Sequence, residues 1–381
     1  MVERIYLDHA ATSPVHPEVI DKMMGILQEQ YGNPSSIHSY GREARRILDE
    51  ARMVMAKSIG ANFNEIIFTS GGTEADNMAI IGAAHAMKEK GKHIITSSIE
   101  HHAVLHTCQA LENEGFKVTY LPVDEHGLIS LEDLKSSLTD ETIVVSIIYG
   151  NNEVGTIQPI KGINELLYDH QAVFHTDAVQ AYGIEDINVN ELGVDLLSVS
   201  SHKINGPKGV GFLYAREGVS LLPRALGGEQ ERKRRAGTEN VASIVGFAEA
   251  VKIAEETKVQ KGEACQQYKH VFLQILSEKG IDYRLNGFLD ESLPHVLNLS
   301  FPGTDVEAML VNLDLEGIAA SSGSACTAGS IEPSHVLVAM FGNHSERLRN
   351  SIRYSFGLNN TLDQIKLAAE KTAAIIHRLT N

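Results

Sequence analysis

The chain has 381 residues, 43% hydrophobic and 22% charged, which is the make-up of a globular protein with enough apolar residues for more than one core. A net charge of −16 excludes broad binding to nucleic acid or anionic membrane, both of which demand a positive field. Three cysteines (Cys108, Cys265 and Cys326) without a CxxC pair exclude a disulfide framework and a structural zinc site, and they fit a reducing cytoplasm.

At the N-terminus, MVERIYLDHAATS has charges where an export signal requires an apolar run. No uncharged apolar stretch reaches the roughly 20 residues of a membrane span, so we expect a soluble protein that is not exported. From about residue 63, β-rich runs alternate with segments of helical period. EIIFTS, HIITSS, KVTYLPV, TIVVSIIYG, AVFHTDA and VDLLSVSS read as strands, and Thr73–Lys88, His102–Glu114 and Ile160–His170 as helices between them. That alternation predicts an α/β fold, a doubly wound, mainly parallel sheet covered on both faces, over residues 15–255. After residue 255 come a long polar helix, the strand HVLNLSF, a helix from Asp305, a small-residue loop, the strand SIRYSF and a closing helix over Leu362–Leu379. We expect residues 256–381, with 1–14, to form a second, smaller α+β domain. Ligands of open α/β sheets bind at the carboxyl ends of the strands, so the residues following each strand are the candidates.

After EIIFTS comes Gly71-Gly72-Thr73 and a helix, an anion site in which paired glycines let the backbone approach a phosphate. No GxxxxGK[ST] or GxGxxG follows a strand, which leaves a phosphate on a cofactor other than a nucleotide. VDLLSVSS runs into His202 and Lys203 before a Gly/Pro turn, where a lysine can be desolvated, lose its proton and attack a carbonyl. Lys208, inside that turn, reads as structural or exposed. Asp177, at the end of AVFHTDA, and Gln180 lie just beyond the apolar residues of that strand; an Asp there is as often a helix cap, but beside a candidate carbonyl-binding lysine it becomes the acid partner of a pyridinium nitrogen. His101, His102 and His106 follow HIITSS, and the last two, one helical turn apart, leave a metalloenzyme as a rival reading, although no HExxH surrounds them. Cys326 sits where every other residue from Ala319 to Ser330 is Ser, Gly, Ala or Thr. The alternatives there are a buried cysteine in a tight turn and a thiol carried on a segment with little to bury.

Taken in order, the Gly-Gly-Thr loop, Glu100-His101, GNNEVG, HTDAVQ, SSHKINGPKG, RAGTEN and SSGSACTAG resemble the cysteine desulfurases, and they span nearly the whole chain. These are fold-type-I pyridoxal 5′-phosphate (PLP) enzymes, and the likeness is to the nitrogen-fixation and iron–sulfur-assembly branch with its long cysteine loop, here about residues 321–332. The resemblance implies that Lys203 holds PLP covalently, that Asp177 pairs with its pyridine nitrogen and that His101 stacks on the ring and moves protons. It places Asn152 and Gln180 on the phenolate side, and Thr73, Ser200 and His202 on the phosphate together with Thr238 from the other subunit of a homodimer. Arg353, a planar fork suited to a carboxylate, would grip the substrate, helped by Asn33.

The implied reaction removes sulfur from L-cysteine, leaving L-alanine and a persulfide on Cys326 that passes to an acceptor protein. No Lys, Arg or His lies between Glu316 and His335, so the thiol must be activated by groups brought near in space. The rivals within the fold are a selenocysteine lyase or an aminotransferase that does not require Cys326. The sequence stops at Asn381, just after its last helical pattern, where iron–sulfur-assembly members resemble it but extend into a tail that docks the cluster scaffold. With the basic run Arg232–Arg235, this leads us to expect delivery at least partly to a tRNA-thiolating enzyme.

Overall fold

A computed structural model describes residues 4–322, 326–327, 330–331 and 333–380, and of Cys326–Thr327 and Ser330–Ile331 it describes the backbone alone. The Cys326 side chain and residues 323–325, 328–329 and 332 of the expected loop lie outside the described residues.

The chain begins β1 (Ile5–Tyr6), α1 (Pro17–Glu29), α2 (Ser39–Ser58), β2 (Ile66–Thr69), α3 (Gly72–Met87), β3 (His93–Ser97), α4 (His102–Asn113) and β4 (Lys117–Leu121). It continues through α5 (Leu131–Ser137), β5 (Thr142–Ser146), α6 (Ile160–Leu167), β6 (Val173–Asp177), α7 (Val189–Leu192), β7 (Leu196–Ser200) and β8 (Gly211–Ala215). Then follow α8 (Val241–Glu278), β9 (Arg284–Asn286), β10 (Val296–Ser300), α9 (Val306–Leu315), β11 (Ile318–Ala319), β12 (Cys326–Thr327), β13 (Ser330–Ile331), α10 (His335–Phe341), β14 (Ser351–Ser355) and α11 (Leu362–Thr380).

Seven strands form the main sheet in the order β2-β8-β7-β6-β5-β3-β4, and only β8 runs against its neighbours. Every residue of β2, β3 and β5 to β8 is buried, because helices cover both faces; the edge strand β4 keeps its exposure. The α/β expectation and its six strands are therefore met. Helices α1 and α2 precede the sheet, where the sequence suggested no element to us. In α2 the apolar stripe Ala44, Leu48, Ala51 and Met55 is spaced for one buried face, but it is interleaved with Arg45, Arg46, Asp49 and Glu50.

A second core joins Ile5, Leu7, Phe272, Leu297, Leu299, Met309, Tyr354 and Ile365 around the three-stranded sheet β14-β10-β9. β1 pairs in parallel with β11, which ties the N-terminus to this core. Residue 255, where the pattern was expected to change, lies inside the unbroken helix α8. Ile244, Phe247 and Val251 of that helix pack in the main core, and Cys265, Phe272 and Leu276 in the second.

Candidate active site

The carboxyl ends of β2, β3, β5, β6 and β7 open onto one cavity of about 300 Å³. Its wall holds Thr73, His101, Asn152, Asp177, Gln180, Ser200, His202, Lys203 and Arg353, nine residues that the sequence singled out. Asp177 ends β6 and Gln180 follows it, Ser200 ends β7, and His202 and Lys203 lie in the 3-10 turn Ser201–Lys203 directly after it. Arg353 comes from β14, in the second core's sheet.

One end of the cavity is built for an anion. α3 starts at Gly72 with its N–H groups unpaired by the helix, and Gly71 before it has φ 151°, a conformation open to glycine and strained for other residues. A Cβ on Gly72 would come within 2.7 Å of Val179 Cγ2, and one on Gly71 would point toward Ser200 Oγ at 3.7 Å. The glycines thus leave a cradle of backbone amides between α3 and Ser200. His202, half-buried beside it with Nδ1 3.1 Å from Thr12 Oγ1, has its pKa pushed down to about 4 by burial and by Lys203 and Lys208.

Lys203 Nζ donates to the carbonyl oxygens of Ala10 and of Ala11, the latter at 2.9 Å. Burial, reinforced by Arg353 and opposed by Asp177 and Asp8, lowers its pKa to about 8, so a reactive amine exists near neutral pH. Asp177, also buried, accepts the Val179 N–H on Oδ1 at 2.9 Å. Desolvation raises its pKa to about 6, held back by that N–H and by Lys203. A second carboxyl, Asp76 of α3, reaches the same wall. It is fully buried and pushed up by desolvation and by Asp177, so Asp177 is the member of the pair that carries the charge. Behind them His175 is wedged between Ser146 Oγ at 2.8 Å and Ser198 Oγ at 3.0 Å, with Nε2 3.6 Å from Asp76 Oδ1.

His101 caps α4: its Nδ1 accepts the Ala103 N–H at 3.1 Å, which leaves Nε2 as the protonated nitrogen of the neutral ring. Burial and the nearby Lys203 lower its pKa to about 4, so the ring is neutral at physiological pH. Arg353 is nearly fully buried; Nη1 donates to the Asn152 carbonyl at 2.9 Å, Nη2 pairs with Asp8 Oδ1 at 3.0 Å, and Nε has no partner. A polar fork with one idle donor at a cavity wall suits a small carboxylate.

Asn33 and Thr238 are exposed and do not line the cavity, and Lys208 is exposed in its turn. The thiol of Cys326 lies outside the described residues. His102 and His106 have ring centroids 5.1 Å apart and His335 approaches His102 to 4.6 Å, yet among the described residues no group of three or more His, Cys, Asp or Glu could hold a metal. The basic run is largely engaged locally: Arg235 pairs with Glu74, Lys233 with Glu229, Arg234 donates to the Asn64 carbonyl, and Arg232 lies over Phe63. Sequence reasoning missed Asp8, Ala10 and Ala11. They follow the apolar run IYL as Gln180 follows its strand, so the rule applied to the main sheet would have found them at β1.

The donor set fits PLP: an amide cradle for phosphate, a buried carboxylate for a pyridinium and a depressed lysine lie on one wall. No described helix is long and apolar enough to cross a membrane. The aminotransferase class-V family model matches residues 5–367. The chain is 59% identical over 379 residues to IscS 1 of Bacillus subtilis (strain 168), covering all of both chains. It is 48% identical to the cysteine desulfurase IscS of Dictyoglomus turgidum, covering 100% of this chain and 96% of that one. Among solved structures, a NifS-like protein superposes with a TM-score of 0.92 at 36% identity, covering 99% of this chain and 100% of that one. SspA in complex with cysteine superposes with a TM-score of 0.83 at 36% identity, covering 93% and 99%. Fold, cavity and full-length similarity agree: the chain belongs to the aminotransferase class-V family, among its cysteine desulfurases.

Proposed function

We propose that the protein takes sulfur from L-cysteine, releases L-alanine and carries the sulfur as a persulfide on Cys326 to an acceptor protein, with PLP as cofactor. The observation that carries this reading is the meeting, in one cavity, of a depressed lysine, a buried carboxylate and a buried arginine. The two cores correspond in this reading to units of residues 15–255 and of 1–14 with 256–381.

When bound, PLP supplies an electron sink conjugated to the substrate's Cα. Lys203 would hold it, and once displaced by substrate the Lys203 amine takes the Cα proton. Asp177 would hold the proton on the pyridine nitrogen, and Thr73, Ser200, His202 and the α3 amides would hold the phosphate. His101 would lie against the ring as a neutral Nε2–H donor, Asn152 and Gln180 would face the phenolate, and Arg353 would bind the substrate carboxylate with Asn33 closing that end. The Cys326 thiolate then forms an S–S bond to the substrate sulfur as the Cβ–S bond breaks, with the electron pair going to carbon. Protonation of Cβ gives alanine.

A homodimer belongs to the same reading. Thr238 is exposed, and α1 leaves Ile20, Met24 and Leu27 exposed at helical spacing, followed in the chain by Tyr31, Ile37 and Tyr40. A second copy covering this face would bring Thr238 to its neighbour's phosphate. A monomer that keeps PLP and full activity in sedimentation would contradict this. The acceptor serves tRNA thiolation or iron–sulfur cluster assembly in the cytoplasm, a compartment that fits the free, buried Cys108 and Cys265. The basic run is largely engaged within the chain, and competition between the two acceptors decides.

The test is alanine release from L-cysteine with a reductant, comparing wild type with Cys326→Ala, both shown by absorbance to hold the cofactor. Alanine from the wild type alone supports the reading. Equal release would make the enzyme a lyase or aminotransferase that does not use this thiol.

A further inference from the structure

Gln180 makes two hydrogen bonds whose chemistry fixes the direction of its amide. One end of the side chain lies 2.9 Å from the Ala10 carbonyl oxygen. A carbonyl can only accept, so that end is the NH₂ group. The other end, Oε1, therefore faces His295 Nε2 at 3.1 Å, and since an amide oxygen can only accept, His295 must carry its proton on Nε2. Both residues are buried, and His295 arrives from the segment that enters β10, so one side chain of the second core sets the orientation of a cavity residue on the main sheet.

The surroundings of His295 keep it in that form. Lys261, Lys269, His9 and Lys203 all act on it, and with burial they hold the ring neutral. Its Nδ1 has no partner, so the ring offers a single donor and directs it at Gln180. The Ala10 carbonyl receives both Gln180 and Lys203, so the cofactor-binding lysine and the amide share one acceptor.

We propose that His295 is a positioning residue: by donating to Oε1 it commits Gln180 to present its NH₂ group, a donor, to the cofactor's phenolate oxygen. This rests on the assignment of Gln180 to the phenolate side in the preceding section. Without His295 the amide keeps one hold, the Ala10 carbonyl that it shares with Lys203, and a turned amide would set its oxygen against a negatively charged one.

The experiment is a pH titration of the cofactor's visible absorbance in the holoenzyme, with wild type, Gln180→Ala, His295→Leu and His295→Gln. Loss of a hydrogen bond to a charged oxygen is expected to raise the spectral pKa by about one unit in Gln180→Ala and in His295→Leu. His295→Gln, which still offers an N–H, should return it toward wild type. A shift in Gln180→Ala without one in His295→Leu overturns the positioning role alone. No shift in Gln180→Ala overturns it together with the placement of Gln180 at the phenolate. Should His295→Leu fail to fold, ¹⁵N NMR of histidine-labelled wild-type enzyme decides instead: Nε2–H on His295 supports the proposal, and Nδ1–H overturns it.

Discussion

Arg353 and Asp8 form an ion pair at the cavity, Nη2 to Oδ1 at 3.0 Å, in which the arginine is buried and the aspartate only partly so. Asp8 is thus a carboxylate already resting on the group expected to receive the substrate's. The Asn152 carbonyl holds Nη1, and Nε is buried without a partner. Arg353→Lys keeps the charge and loses the fork. Steady-state kinetics should show KM for L-cysteine rising about 10- to 100-fold, the loss of one or more charge-assisted hydrogen bonds, with a smaller change in kcat. Asp8→Asn removes the competing charge at constant shape, and KM should fall. A rise in KM with Asp8→Asn would mean that Asp8 orients the guanidinium more than it competes for it.

Lys203 must lose its proton before it can bond to a carbonyl carbon. Its pKa is held at about 8 chiefly by burial, well under the ordinary lysine value of about 10.4. Stopped-flow mixing of apoenzyme with PLP should therefore show a rate of cofactor uptake that rises with pH and levels off above about pH 8. A rate still climbing tenfold per unit beyond pH 9 would show an unperturbed amine. Asp177→Asn removes a carboxylate that favours the charged lysine, so it should move the midpoint of that profile downward, besides weakening PLP retention.

The main sheet was legible because each of its strands except the edge strand β4 is buried on both faces and so reads as a short apolar run. The site was legible through the rule that ligands meet strands at their carboxyl ends, which Asp177, Ser200 and Lys203 obey. What the sequence hid has physical causes. Helix α2 carries its buried stripe among arginines and glutamates that form exposed pairs such as Arg46–Glu43, so its charge conceals its period. Ala10 and Ala11 reach the cavity, and Asp8 reaches Arg353, from a segment tied down by the pairing of β1 with β11 and by Ser355, contacts between residues more than 300 positions apart. His295 acts through Gln180, and a residue whose partner is another side chain leaves no spacing to read. Asp76 was not singled out, and only packing shows that it faces a second carboxyl.

Glu100, beside His101, is fully buried; Oε1 accepts from Ser97 Oγ at 2.5 Å and the Ile148 N–H at 2.9 Å, and Oε2 has no partner. Desolvation lifts its pKa to about 8, so it is largely protonated at neutral pH. In the unfolded chain it titrates near 4.3. Between those values the native state binds the extra proton, so the stability this group contributes is complete below about pH 4 and lost as pH rises to about 8. Glu100→Gln is neutral at every pH and should lack that slope. Urea denaturation at pH 5 and pH 8 should show the variant gaining on wild type at the higher pH. Equal pH dependence in the two proteins would mean that Glu100 is ionised in the fold.

Arg52 of α2 and Glu231 form a buried two-pronged pair, Nη1 to Oε2 at 2.7 Å and Nη2 to Oε1 at 2.6 Å. Oε2 also accepts the Phe68 N–H at 3.1 Å, Nη1 donates to the Ile66 carbonyl at 2.7 Å, and the guanidinium lies 4.5 Å over the Phe68 ring. Each charge is thus satisfied by more than its partner. This pair pins a strained segment: Glu231, Arg232 and Lys233 have φ of 45°, 57° and 68°, left-handed values at three residues that are not glycine. The segment leads to Thr238. Glu231→Gln leaves the Arg52 charge buried without its counter-ion, and urea denaturation should show a loss of about 3–5 kcal/mol. Replacing both by apolar residues, Arg52→Met with Glu231→Leu, should recover much of that stability, since no buried charge remains. The double variant should still lose PLP faster than wild type on dialysis if Thr238 serves the phosphate as proposed, because stability without the ion pair does not restore the pinned backbone that leads to it. Wild-type retention in the double variant would show that this segment contributes nothing to the cofactor site, in its own subunit or in a partner's.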